Sequence, residues 1–179
     1  KVVEGCGATT LFSTGFVNVF PLNDADKFID IDCRVNTNSY DPNDKQAVPT
    51  GYGAAHYIEP RTPLEYLIRF QNTGADTAFT VVIRDTLSAW LDPATVRPGA
   101  SSHPYTWDLS GTGNLTFTFA DILLPDSTTN IDASHGFVKY TISPKDSVPL
   151  QSVVRNRAAI YFDFNAPIVT NETQQKKKK

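Results

Sequence analysis

The stretch "LEYLIRFQN" alternates: Leu64, Tyr66, Ile68 and Phe70 fall on one side, Glu65, Leu67, Arg69 and Gln71 on the other. A period of two is the signature of a β-strand, whose successive side chains leave opposite faces. The same period returns along the chain. "FTVVIRD" aligns Phe79, Val81 and Ile83, and "LTFTFADILL" aligns Leu115, Phe117 and Phe119. "GFVKYTIS" sets Val138, Tyr140 and Ile142 against Phe137, Lys139 and Thr141, and "RAAIYFDFN" sets Ile160 and Phe162 against Tyr161 and Asp163. Turn chemistry separates these runs: "NTGADTA" with Gly74, then Pro93, Pro98, Pro104, Pro125, Pro144 and Pro149. No stretch shows a helical period with caps, and "DTLSAWL" is too short to count as one. The pattern predicts an all-β fold, an immunoglobulin-like β-sandwich over residues 56–173.

The flanks do not share this rhythm. In residues 1–38 the apolar segments "TTLFSTGFVNVF" and "KFIDIDC" surround the turn "PLNDAD", which reads as a β-hairpin segment closing a preceding domain. Residues 39–55, "SYDPNDKQAVPTGYG", read as a junction loop. Residues 174–179, ending in four lysines, read as a disordered solubility tail or a cloning artefact. The chain contains no Met, which suggests a fragment or mature piece of something longer.

Composition narrows the class. Of 179 residues 40% are apolar and 20% charged, which is globular. A net charge of −3 offers no basic field for nucleic acid, and no run of 18 apolar residues points to membrane insertion. Cys6 and Cys33 are the two cysteines. They are too few for a structural zinc site, and a disulfide is the expected pairing in an extracellular setting, with two buried thiols as the competing reading. His56, His103 and His135 stand singly. Ser102–His103 and Ser134–His135 are adjacent pairs, which on a strand would face opposite ways. With no nucleophile elbow and no phosphate loop, no catalytic residues are assigned and the chain is read as non-enzymatic.

Calcium is the one cofactor the sequence raises, since its ligands are carboxylate, amide and carbonyl oxygens on loops. Asp24, Asp26, Asp30 and Asp32 cluster with Asn23 in the hairpin segment. Asp41, Asn43 and Asp44 would be joined by Asp163 and Asn165 if the first and last strands lay side by side. Neither group has EF-hand spacing, and turn chemistry explains both as well. Asp163 stands out because it interrupts the apolar "IYFDFN": either that face is open to solvent, or the carboxylate has a partner such as Lys45 or the backbone of "DPNDK". The junction is thus read as a rigid lock against the last strand. A covalent Lys–Asn isopeptide link would be a stronger version of that lock, with Lys45 or Lys139 and Asn156 as the pairs on offer.

The segments "SYDPNDK", "LEYLIRFQNTGADTAFTVVIRDTLSAWLD", "SSHPY", "ILLPDSTTN", "SHGFVKYTI" and "NRAAIYFDFNAPIVTNET" together resemble a β-sandwich repeat domain of very large secreted Bacteroidota proteins. That domain typically lies upstream of the type IX secretion C-terminal sorting signal. The resemblance covers residues 39–173 and implies secretion, placement at the cell surface, and a stalk or adhesin role. Its partners would be neighbouring domains of the same protein and other copies in a surface assembly. It also implies O-glycosylation at Asp-Ser/Thr tripeptides, here at Thr77, Thr86, Ser127 and Ser147, although Asp-Ser/Thr is equally good turn chemistry. The expected function is a non-catalytic extracellular spacer, stalk or assembly module. The alternative is a carbohydrate- or protein-binding module using Trp90, Trp107 and Tyr105, with core positions the commoner place for two tryptophans.

Overall fold

The computed structural model describes residues 42–178. Its strands are β1 (Asp44–Val48), β2 (Tyr57–Ile58), β3 (Leu64–Gln71), β4 (Val81–Thr86), β5 (Arg97–Ser101) and β6 (Thr106–Ser110), followed by β7 (Asn114–Phe119), β8 (His135–Ile142), β9 (Val153–Asn156), β10 (Ala158–Phe162), β11 (Ile168–Val169) and β12 (Thr173–Lys177). They form three sheets, ordered β1-β3-β8-β5, β11-β10-β4-β7-β6 and β2-β12-β9. A short 3-10 turn, Pro93–Thr95, is capped by the Asp92 carboxylate. The fold is an all-β, immunoglobulin-like sandwich.

The alternation read from the sequence becomes the core. Leu64, Tyr66, Ile68 and Phe70 of β3 are fully buried, as are Val138 and Tyr140 of β8, and the opposing sheet contributes Val81, Ile83, Leu115, Phe117, Phe119 and Ile160. Burying each of the larger side chains contributes about 1.5–3 kcal/mol. Rings interlock across the interior: Phe70 lies 5.2 Å from Phe119 and 6.3 Å from Phe162 between centroids, and Phe117 lies 5.8 Å from Tyr140. Gly136 sits opposite Phe70 in the β3–β8 register, where the absence of a side chain makes room for that ring.

Three expectations change. The segment 39–55 is not all loop: Asp44–Val48 is β1, an edge strand antiparallel to β3. Its inward positions, Lys45 and Ala47, are buried, and one of them is charged, which hid the period. The C-terminal residues are not a free tail either. β12 runs antiparallel to β9 and parallel to β2, and Lys177 is buried. Backbone pairing needs no apolar side chain, so a polar sequence can still complete a sheet. Phe79 is exposed rather than aligned inward with Val81 and Ile83, because β4 begins only at Val81. The hairpin segment expected over 1–38 lies outside the described residues.

Candidate functional site

Three inward rows each end in a polar residue. In β1 the buried row includes Lys45 beside Ala47; in β4 it runs Val81, Ile83, Asp85; in β9 it runs Val154, Asn156. Strand periodicity therefore aims a lysine, an aspartate and an asparagine from three different sheets into one interior.

They converge on Tyr140 of β8. The Lys45 ammonium and the Asp85 carboxylate form an ion pair with both side chains wholly shielded from solvent. The Tyr140 hydroxyl donates to Asp85 Oδ2 at 2.6 Å. It also receives hydrogen bonds from Lys45 Nζ at 3.2 Å and from Asn156 Nδ2 at 3.1 Å. Lys45 Nζ lies 4.4 Å from the centre of the Tyr66 ring and 5.4 Å from that of Tyr140, so two aromatic rings wall the amine. Tyr66 and Tyr140 are themselves register partners between β3 and β8. Asn171 fixes the backbone of Lys45 from outside, accepting from its N–H at 2.8 Å and donating to its carbonyl at 2.9 Å, as a neighbouring strand would.

Burial sets the electrostatics. Removal from water lowers the Lys45 pKa below the usual lysine value, against the opposing pull of Asp85. Burial, reinforced by the Asp85 charge, raises the Tyr140 and Tyr66 phenols, which stay protonated. Three polar atoms of the cluster, Asp85 Oδ1, Asn156 Oδ1 and the Tyr66 hydroxyl, are buried without a hydrogen-bond partner among the described residues. Such atoms are rare in folded interiors and each is costly.

The residues singled out by sequence fall elsewhere. Asp163 does not meet Lys45; at φ +50° it turns back to accept from the Phe79 N–H at 3.0 Å and the Thr80 N–H at 2.7 Å. Asp44 takes Arg69 in a two-pronged bond of 2.6 and 2.9 Å, and Asn43 accepts from the Gln71 N–H at 3.2 Å. Among the described residues no three of His, Cys, Asp and Glu gather closely enough to hold a metal ion. Cys6, Cys33, Asp24, Asp26, Asp30, Asp32 and Asp41 lie outside the described residues.

Ser102 Oγ and His103 Nδ1 are 2.8 Å apart, contrary to the expectation of opposite faces, because they follow the end of β5 and are not in a strand. Ser102 Oγ also accepts from the Phe137 N–H at 2.8 Å, which gives it a structural task. Ser134 is buried and donates to the Ile131 carbonyl at 2.7 Å. His56 Nδ1 lies 2.9 Å from the Thr50 carbonyl. Lys139 pairs with Glu65 at the surface, leaving Lys45 as the lysine near Asn156. Trp90 and Trp107 are 38% and 46% exposed, so neither is a core residue, whereas Tyr105 packs on Phe117 and donates to the Gly99 carbonyl at 2.8 Å. Thr86 and Ser147 are exposed, and Thr77 and Ser127 are half-buried.

Sequence reasoning missed Asp85 and the tyrosines. The available signal was a charged or amide residue in a position where strand periodicity demands an apolar one, and it held at Lys45, Asp85 and Asn156.

A family model described as "Domain of unknown function (DUF7619)" matches residues 41–176. No curated protein matches the chain. Among solved structures, the chain is similar to BcpA, the major pilin subunit of Bacillus cereus, at 21% identity and a TM-score of 0.52, covering 75% of this chain and 39% of that one. It is also similar to the full-length major pilin SpaD from Corynebacterium diphtheriae, at 17% identity and a TM-score of 0.52, covering 74% and 34%. The chain thus spans little more than a third of these structures, and the likeness shows a shared fold.

Proposed function

From the premise that the chain belongs to the DUF7619 family, we propose that it is a non-catalytic structural module of a large cell-surface protein, serving as spacer, stalk or assembly unit. The observation that carries this reading is where the chemistry sits. The reactive side chains, Lys45 and Asp85, are sealed inside the sandwich, tying its sheets together instead of lining a cleft. The fold is shared with two major pilins, BcpA and SpaD, which supports the same role here. Neighbouring domains of the same protein and further copies are its partners. The resemblance over 39–173 supports secretion by the type IX route with O-glycans at the Asp-Ser/Thr sites, and an extracellular setting in turn favours a Cys6–Cys33 disulfide.

Two measurements test this. Antibody against the domain should label intact cells of the source organism, and tandem domains pulled in a force spectrometer should unfold as discrete, mechanically resistant units. Confinement to the cytoplasmic fraction, or unfolding at negligible force, would refute the role.

The exposure of Trp90 and Trp107 favours one second reading, a carbohydrate-binding module. Glycan titration monitored by tryptophan fluorescence separates the two; saturable quenching lost in Trp90→Ala or Trp107→Ala would select binding.

A further inference from the structure

We propose that Lys45 and Asn156 become joined by an intramolecular isopeptide bond, formed by the domain on itself with Asp85 carrying the proton. This stands independently of where the domain resides.

The geometry supplies each participant. Lys45 Nζ and Asn156 Nδ2 both bond the same Tyr140 hydroxyl, at 3.2 and 3.1 Å, so the nitrogens are separated by at most these two bonds laid end to end. Asp85 touches both Lys45 and Tyr140. All five side chains of the cluster are buried, which excludes the water that would otherwise solvate the amine or hydrolyse an intermediate.

The unpartnered atoms point the same way. Asp85 Oδ1 and Asn156 Oδ1 are both acceptors without a donor among the described residues. Moving one proton from Lys45 to Asp85 converts the ammonium to a nucleophilic amine and the carboxylate to an acid able to donate to the amide oxygen. Burial penalises the charged form of Lys45 and so eases this proton transfer, in line with its lowered pKa.

The step balances. The Lys45 Nζ lone pair adds to Asn156 Cγ, forming the Nζ–Cγ bond, while Asp85 protonates the developing oxyanion on Oδ1. Asp85 then recovers that proton as the carbonyl reforms. The Cγ–Nδ2 bond breaks, and the nitrogen departs as ammonia with the hydrogen that Nζ sheds. A primary amine and a carboxamide become a secondary amide and ammonia, with no oxidant, metal or external reagent. Asn156 also lines a surface depression with Arg84, Arg155 and Glu172. The bond would tie β1 to β9, two strands in different sheets near opposite ends of the sandwich's sequence.

Intact mass of the folded, cysteine-reduced wild-type protein tests this directly. It should be lighter than the sequence mass by one ammonia, about 17 Da. An asparagine succinimide loses the same mass but leaves the chain linear. Tandem spectra of a protease digest must therefore show one branched peptide carrying Lys45 and Asn156. Lys45→Met, Asn156→Ala and Asp85→Ala should each give unbranched chains at full sequence mass. Full mass in folded wild type, or a linear peptide with Asn156 intact or cyclised, overturns the proposal. The decisive reading is on wild type, so a variant that fails to fold cannot shelter it.

Discussion

Lys45 of β1 and Asp85 of β4 face each other across the sandwich as an ion pair with no exposure of either side chain. Such a pair is poor evidence of net stability, because desolvating two charges offsets their attraction, but breaking it from one side strands a buried charge.

The non-covalent part of that relationship is best measured in an Asn156→Ala background, where no cross-link can form. There, Lys45→Met or Asp85→Ala should lower the unfolding free energy by about 3–5 kcal/mol in urea titration. The pair Lys45→Met with Asp85→Leu should cost less than either single change. Single changes that cost under about 1 kcal/mol would show that water reaches the site.

Gly136 meets the ring of Phe70 so closely that an added Cβ would lie 2.2 Å from two ring carbons. Gly136→Ala forces the ring or β8 to move and should cost about 1–3 kcal/mol by thermal denaturation. A companion Phe70→Leu should recover part of the loss; an unchanged melting temperature in Gly136→Ala would contradict the packing.

Asp126 gathers the Thr128 hydroxyl and the N–H groups of Thr128 and Thr129, the latter two at 2.9 Å. These bonds hold its carboxyl well below the usual carboxylate range. A depressed folded-state pKa contributes stability that is fully present above the unfolded value of about 3.9 and is lost as pH falls toward the folded one. Melting curves from pH 5 downward, at about half-unit steps, should fall more steeply for wild type than for Asp126→Asn. Parallel slopes would mean that the turn does not depend on the charge.

Cys6 and Cys33 are expected to be bonded, on the strength of the proposed secretion and of their places at the two ends of the hairpin segment read from the sequence. Alkylation of the unfolded protein without reduction should label neither. Two thiols labelled in denaturant without reductant would point to the buried-thiol reading.

Exposure ranks the candidate glycan sites. Thr86 and Ser147 are open to solvent, while Asp126, before Ser127, is already committed to its own turn. Sugar mass on native protein should map first to Thr86 and Ser147 and be absent from material made in a host without the pathway. Bare peptide at all four threonine and serine positions would leave turn capping as their whole role.

Local sequence determined the strands, because a period of two is written in neighbouring residues and needs nothing distant to be read: β3, β4, β7, β8 and β10 follow from it. It also determined an all-β sandwich, since short alternating runs broken by proline leave few other ways to bury one face. Where the inward position is polar the same rule falls silent. Lys45 therefore disguised β1 as a loop, and Asp163 drew attention that belonged to Asp85. Which lysine meets which carboxylate depends on strand order and register between sheets, and these are set by the packing of residues far apart in the chain. Only the folded structure could place Lys45, Asp85, Tyr140 and Asn156 around one hydroxyl. Their proximity is a product of the whole core's closure, while each taken alone is an ordinary polar residue on a strand.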